Sequence, residues 1–542
     1  MQYTNPVLPG FYPDPSVCRV GSDFYLVTST FEWFPGVPIF HSEDLIHWSQ
    51  IGHCLTRKEQ LNLEGIKSSG GIYAPTIRYH EGLFYMVTTN TTGIGNFFVT
   101  ATDPAGEWSN PIPVAQGGID PSLFWDSDGR AYFVSNSLLE GDLEQGIYLR
   151  EIDTETGRLL GRGPTFLWKG TGGKFPEAPH LYRRGDWYYL LIAEGGTELT
   201  HRVSIARSRN VFGPYESYEE NPILSHAGSM HPVQSTGHGD LVEDSAGNWW
   251  IVFLGVRHVG YPLVHHLGRE TYLAPVSWNE KGWPIVNDEE YVDLKMTVDR
   301  PLRSYSGPET PVRDKFLNDT LRLCWNFRRN LSGEAWSVDP RAGELSLHCL
   351  PGNLDGTDET ALIARRLQHF EARVELEFEF SPKANGEEAG LVAVMNEKHH
   401  CEILVTLRNH ESVLLFRKRC GSLVNEYQVE IPVSRTNRLR LSAKEETLYF
   451  YAIPEGGNPI QAGMMETRLL STEVAGGFTG LYVGMYASSN GNKSHNNAIF
   501  HWFDYEPAGG PREWDRSFVS TEQTLNHSDD ENSLLFQPSS MS

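Results

Sequence analysis

Along the first three hundred residues one pattern of polar and apolar positions recurs. A polar turn leads into an aromatic-rich apolar run: Gly21-Ser22-Asp23-Phe24-Tyr25-Leu26-Val27, then Glu81-Gly82-Leu83-Phe84-Tyr85-Met86-Val87. It returns as Asp128-Gly129-Arg130-Ala131-Tyr132-Phe133-Val134, Arg184-Gly185-Asp186-Trp187-Tyr188-Tyr189-Leu190 and Ala246-Gly247-Asn248-Trp249-Trp250-Ile251-Val252. Each reads as a hairpin turn entering a buried strand: Gly, Asn and Asp supply the turn geometry, and aromatic and β-branched residues fill a pleated surface. The copies stand roughly 45–60 residues apart, the period of propeller blades. Five copies predict five blades. A sandwich with long loops is the alternative, but it has no need of five similar inner strands. Convincing long helical periodicity is absent.

The pattern changes at residue 299. Pro301, Ser304, Ser306, Gly307, Pro308 and Pro311 read as a linker. Strict period-two alternation then appears in Glu371-Ala372-Arg373-Val374-Glu375-Leu376-Glu377-Phe378-Glu379-Phe380. Further strands are predicted at 389–395, 401–407 and 438–443. With their turn signals these predict a β-sandwich. The prediction is an all-β chain: a five-bladed β-propeller over 1–298, a linker over 299–312, a sandwich over 313–508, and a mostly disordered polar tail over 509–542.

Charge narrows the partners. There are 45 Lys+Arg against 69 Asp+Glu, which argues against nucleic acid and against an anionic membrane surface, where basic patches supply affinity. The six cysteines are dispersed without CxxC spacing, so buried free thiols are expected rather than a disulfide framework or a zinc site. The N-terminus, Met-Gln-Tyr-Thr-Asn-Pro, has neither a charged n-region nor an apolar h-region, and no apolar run approaches a membrane span. A soluble, cytoplasmic protein is expected, and a homo-oligomer.

Three acidic residues stand beside prolines at strand boundaries in separate blades: Pro13-Asp14-Pro15, Ile119-Asp120-Pro121 and Pro176-Glu177-Ala178-Pro179. Pro15 pushes Asp14 out of the right-handed helical region, which holds its carboxylate stiffly. In a propeller such loops converge on the central axis, so residues far apart in sequence face one pocket. Glycosidic hydrolysis needs an acid for the leaving oxygen and a second carboxylate on the opposite face of the sugar. The longer Glu177 arm, between prolines, suits an acid of raised pKa, and a like charge at Asp120 lifts it further.

The string Asn5-Pro6-Val7-Leu8-Pro9-Gly10-Phe11-Tyr12-Pro13-Asp14-Pro15-Ser16 resembles the opening of glycoside hydrolase family 43. Gly118-Ile119-Asp120-Pro121-Ser122 and Phe175-Pro176-Glu177-Ala178-Pro179 match its two other catalytic blocks. The branch with a C-terminal concanavalin-like sandwich, matching through about Pro507, resembles β-xylosidases with α-L-arabinofuranosidase side activity. The resemblance implies an exo-acting, inverting enzyme on short xylo-oligosaccharides or arabinose-substituted oligosaccharides. Asp14 would be the general base, Glu177 the general acid and Asp120 the pKa modulator. It also implies that Arg269, in Gly268-Arg269-Glu270-Thr271, reaches the pocket to bind sugar hydroxyls and hold Asp120 ionised. Phe31, Tyr73 and Thr197 would line the sugar site, and Phe478, in Gly476-Gly477-Phe478-Thr479-Gly480, would close it from the sandwich. Tyr73 replaces an expected tryptophan, and the stretch 135–145 has none where related enzymes place one near the leaving group. No cofactor is required; His238 is the candidate support for a calcium ion near the propeller axis. Arabinofuranosidase as the main activity is the alternative. A retaining fructosidase would carry an Asn-Asp-Pro-Asn-type and an Arg-Asp-Pro block, which are absent. A non-catalytic sugar-binding propeller would have lost at least one acid, and a WD scaffold would show regular Trp-Asp repeat ends.

Overall fold

The computed structural model describes residues 2–137, 144–299 and 312–508. Most of the predicted linker, all of the predicted tail, and most of the 135–145 stretch therefore lie outside the described residues.

The first part is a five-bladed propeller of four-stranded antiparallel sheets, each in sequential strand order. The innermost strands are Ser16–Val20, Thr76–His80, Ser122–Trp125, Glu177–Arg184 and Val233–Glu243. They neighbour one another in a closed ring. The aromatic-rich runs that revealed the repeat are each blade's second strand, Asp23–Val27, Leu83–Asn90, Ala131–Asn136, Trp187–Glu194 and Trp249–Arg257, and not the inner ones. The reason is packing: second strands are buried on both faces between blades, whereas four of the five inner strands begin with a polar residue, Ser16, Thr76, Ser122 or Glu177. The ring is closed by the N-terminal segment. Gln2–Thr4 pairs with Lys295–Thr297, and Leu8 bridges Thr271 of the fifth blade.

The second part is a sandwich of two antiparallel sheets. The period-two run forms the strand Ala372–Glu379, whose Val374, Leu376 and Phe378 share one core with Leu391, Ile403, Leu441, Phe450, Met485 and Phe500. Each such fully buried side chain contributes about 1.5–3 kcal/mol. Among the described residues the one α-helix is a single turn, Thr472–Ala475. All six cysteines are free thiols.

The two parts are stitched through the backbone. Trp33–Phe34 leaves the first blade and adds to the edge of a sandwich sheet by pairing with Asn326–Arg328. Trp33 stacks on Tyr482 with ring centroids 3.6 Å apart. Arg366 donates to the carbonyl of Phe11 at 2.6 Å, and Arg328 pairs with Glu397, which also accepts from the Ser68 amide. The strand addition starts two residues after Phe31, so sandwich docking and the shape of the pocket are set by the same segment.

Candidate active site

Four of the predicted positions stand at or just before the start of an inner strand. Asp14 precedes Ser16–Val20 by two residues, Tyr73 precedes Thr76–His80 by three, Asp120 precedes Ser122–Trp125 by two, and Glu177 opens Glu177–Arg184. The backbone there is unusual for L-residues: Asp14 (φ 55°), Asp120 (φ 53°), Ala178 (φ 52°) and, in the fifth blade, His238 (φ 48°) are all left-handed. Such conformations cost roughly 1–3 kcal/mol each and persist where the surroundings fix them. Gly118 shows how: a Cβ at its φ of +91° would lie 1.8 Å from the Asn136 carbonyl oxygen. Only glycine lets the Asp120 loop lie against the second strand, where the Ile119 amide donates to Asn136 Oδ1 at 2.7 Å. Ser122 Oγ donates to the Pro179 carbonyl at 2.6 Å and ties the Asp120 and Glu177 loops together. A bulge between Glu177 and His180 re-aims the glutamate toward the axis.

The three carboxyls act on one another electrostatically, and they divide into two states. Asp14 is buried, and burial opposes its charge. Arg269, then His238 and a hydrogen bond from Ser29, outweigh burial and hold its pKa below the usual carboxylate value. Arg269 Nη1 donates to Asp14 Oδ1 at 2.6 Å, and Nη2 reaches Oδ2 at 3.4 Å. Asp120 is pushed well up by burial, then by the charges of Glu177 and Asp14. Glu177 is pushed up to about 7 by burial and then by Asp14. Asp120 and Glu177 oppose each other's ionisation, so the pair holds a proton into the neutral range and titrates as a unit. The expectation that Arg269 keeps Asp120 ionised is corrected here: the guanidinium is on Asp14, and its pull on Asp120 is outweighed by burial and two negative neighbours.

Aromatic rings surround this centre. Phe31 and Ile72 exchange backbone hydrogen bonds of 2.9 and 3.1 Å, which brings Phe31 beside Tyr73, with ring centroids 5.1 Å apart. Phe478 stacks on Phe31 at 5.9 Å and meets Tyr73 edge-on at 6.1 Å. The Arg269 guanidinium lies 5.6 Å from the Phe31 ring and 5.9 Å from that of Phe478. The Phe478 amide accepts support from across the domain boundary by donating to Ser69 Oγ at 2.8 Å. Gly268 and Gly480 permit this approach: a Cβ on Gly268 would meet Phe11 at 2.8 Å and the Gly480 Cα at 3.0 Å. Thr197 is half-buried in the loop after Trp187–Glu194, and among the described residues no hydrogen bond or ring contact ties it to the carboxyls.

His238 Nδ1 lies 3.8 Å from Asp14 Oδ1, and burial lowers its pKa. Two more imidazoles line the axis, His201 and His180, each pushed down to about 3 by burial. Calcium takes six to eight oxygens. The groups around His238 are neutral imidazoles and two carboxylates already paired with arginines, Asp14 with Arg269 and Asp240 with Arg78, so they do not form a calcium cage.

The family 43 glycosyl hydrolase profile matches residues 3–284, and the beta xylosidase C-terminal concanavalin A-like domain profile matches 313–506. The chain belongs to glycosyl hydrolase family 43. It is a glycoside hydrolase with the family's propeller and sandwich. It is 43% identical over 509 residues to the non-reducing end alpha-L-arabinofuranosidase of Bacteroides ovatus, covering 93% of this chain and 94% of that protein. It is 38% identical over 530 residues to a xylosidase/arabinosidase of Butyrivibrio fibrisolvens, covering 93% and 99%. The crystal structure of the xylan beta-1,4-xylosidase of Bacillus halodurans superimposes with a TM-score of 0.87 at 35% identity, covering 93% of this chain and 100% of that one.

Several residues that shape the site escaped the sequence reading. Ser29 caps Asp14. Asp240 is fully buried and takes Arg78 at 2.7 Å, Ser16 Oγ at 2.6 Å and the Tyr182 hydroxyl at 2.5 Å, joining four of the five inner strands. Glu194 accepts from the amides of Thr171 and Gly173 at 3.0 and 3.2 Å and shapes the loop that leads to Glu177. Glu270 pairs with Arg257 at 2.7 Å and accepts from the Gly10 amide at 2.7 Å, which fixes the approach to Asp14. Of these, only Ser29 had a usable signal, in the hairpin register.

Proposed function

We propose that this glycosidase is an exo-acting, inverting enzyme that releases xylose from the non-reducing end of short β-1,4-xylo-oligosaccharides. The observation that carries the reading is the division of charge: an arginine-paired, ionised Asp14 beside a proton-holding Asp120–Glu177 pair. Two carboxyls whose surroundings push them into opposite protonation states are what acid–base hydrolysis requires. Glu177 gives its proton to the glycosidic oxygen as the C1–O bond breaks. Water attacks C1 from the other face and loses a proton to Asp14. Asp120 keeps Glu177 protonated and, through its loop's bond to Pro179, oriented. The closure of Phe31, Tyr73 and Phe478 around Arg269 favours a terminal sugar over an internal one, hence exo action.

A second reading, arabinofuranosidase as the main activity, is favoured by the 43% identical Bacteroides ovatus relative and by the smaller Tyr73 wall. The deciding experiment is a hydrolysis panel of aryl β-xyloside, aryl α-arabinofuranoside, xylobiose and arabinan, with the first-formed anomer read by NMR. A retained β-anomer from the xyloside would overturn inversion and make Asp14 a nucleophile. No turnover of any member would favour a sugar-binding propeller. Calcium has no step here; any ion at His238 would take most of its ligands from water, and calcium added to chelator-treated enzyme is expected to leave kcat/KM unchanged. The same reading has the protein cytoplasmic and homo-oligomeric, which fractionation and light scattering test.

A further inference from the structure

A second cluster of chemistry-bearing side chains lies at the domain boundary, outside the carboxyl centre. Val259 and Val264 exchange backbone hydrogen bonds of 2.8 and 3.1 Å. This closes a tight loop and brings its flanking residues, His258 and His265, to the same end. Their rings stand 5.5 Å apart with planes inclined at 62°. From the sandwich, the single-turn helix Thr472–Ala475 delivers Glu473 between them. Glu473 Oε1 is 2.7 Å from His265 Nδ1 and 3.4 Å from His258 Nε2, and Oε2 accepts from the His265 amide at 2.9 Å. The Thr472 amide donates to the His265 carbonyl at 3.1 Å and fixes the helix in place.

His258 is the unexplained member. Its ring is buried, and its Nε2, the nitrogen that faces Glu473, has one long contact, at 3.4 Å. A desolvated polar ring is costly unless something takes its lone pair. Tetrahedral ligands about 2.0–2.2 Å from a zinc ion stand about 3.3–3.5 Å from one another; the His258–Glu473 separation of 3.4 Å falls on that spacing, and the 2.7 Å His265–Glu473 hydrogen bond would give way as the ion replaces its proton. One ligand atom from each of the three residues can be chosen so that all lie within 4.8 Å of one another.

We propose that His258, His265 and Glu473 bind one divalent transition-metal ion of the zinc type, which staples the sandwich to the propeller. Two imidazoles and one carboxylate suit zinc, nickel or copper and not calcium or magnesium, which take oxygen. Glu473 is one-third exposed, so water has access to the fourth position. The site differs from the catalytic centre but adjoins it along the chain. His265 precedes Arg269 by four residues and Glu473 precedes Phe478 by five. Metal here would therefore fix the two segments that meet over the pocket. The inference does not depend on the roles given to the carboxyls.

The test uses the full chain without a polyhistidine tag, stripped with chelator and titrated with cobalt(II). One equivalent per chain should bind with the intense visible bands of four-coordinate cobalt, and zinc should displace it. The metal should raise the melting temperature, and His258→Gln and Glu473→Gln should each lose both effects. Wild-type protein that takes up no cobalt, or uptake that both folded variants retain, overturns the site and leaves a hydrogen-bonded clamp. Should a variant fail to fold, X-ray absorption on zinc-loaded wild type decides: two imidazoles with oxygen support the proposal, and sulfur or a single imidazole overturns it.

Discussion

Replacing Arg269 by methionine separates its electrostatic role from sugar binding. Arg269 and Asp14 are 5% and 4% exposed, so their pairing is little screened. Two unit charges about 4 Å apart interact by about 4 kcal/mol at an effective dielectric of 20. At 1.36 kcal/mol per pKa unit that is roughly three units. In the wild type Asp14 is depressed, so its contribution to stability is present above its unfolded pKa and is lost as pH falls through the folded one. Without Arg269, burial dominates and the folded pKa rises above the unfolded value. The acidic limb of kcat/KM should then move up by about one to three units. Arg269 also lowers Asp120 and Glu177, so the basic limb should move up as well. The whole bell should shift in one direction. Stability at pH 7 should fall by about 3–5 kcal/mol, the cost of orphaning a buried charge, and the deficit should shrink toward pH 4, where Asp14 protonates. Urea denaturation at both pH values and a pH profile on an aryl xyloside measure these effects. A raised KM with both limbs unmoved would refute the argument and leave Arg269 as a sugar contact alone.

Other perturbations follow from the same geometry. Asp14→Ala should lower hydrolysis of xylobiose and aryl glycosides alike by about 10²–10⁴-fold, whereas Glu177→Ala should hurt xylobiose more than an aryl glycoside, whose leaving group needs less protonation; steady-state rates on both substrates separate the two. Asp120→Asn removes a like charge from Glu177 and should move the basic limb of the pH profile down, opposite to Arg269→Met. A chain ending at Asp299 loses Phe478 and uncovers Trp33 and Phe11, which Tyr482 and Arg366 pack against; its activity should be largely lost, and normal turnover with a cooperative melt would show the sandwich to be dispensable.

The blade repeat was legible because a strand buried on both faces must be continuously apolar, and its hairpin turn must be polar with glycine or asparagine. That signal marks second strands, so it counted the blades and misplaced the axis. The inner strands carry Ser16, Ser122 and His180 toward the centre, and polar residues there break the apolar run. The carboxyl positions were legible through their prolines. Hairpin register extends that reading: Val20 pairs with Asp23 and Ser16 with Val27, so two residues further on Asp14 meets Ser29. Likewise Ser122 pairs with Val134, and two residues further on Asp120 meets Asn136. The partner of Arg269 was not legible. Asp14 and Asp120 both lie in proline-flanked loops on the axis, and only the three-dimensional approach of the fifth blade to the first selects Asp14.

That choice matters more than any one carboxyl's local setting. Asp14 and Asp120 are both buried aspartates in left-handed conformations beside prolines, and burial raises both. Among the described residues one arginine, Arg269, acts on both, and the carboxyl it pairs with becomes the charged one. Arg269 follows Gly268, whose missing Cβ lets Gly480 of the sandwich and Phe11 lie directly against the backbone there, and its Nη2 donates to the Phe478 carbonyl at 3.4 Å. The docking of the second domain therefore helps to determine the protonation of the first domain's acids. A loosened domain interface should show as displaced pH limbs before it shows as lost binding.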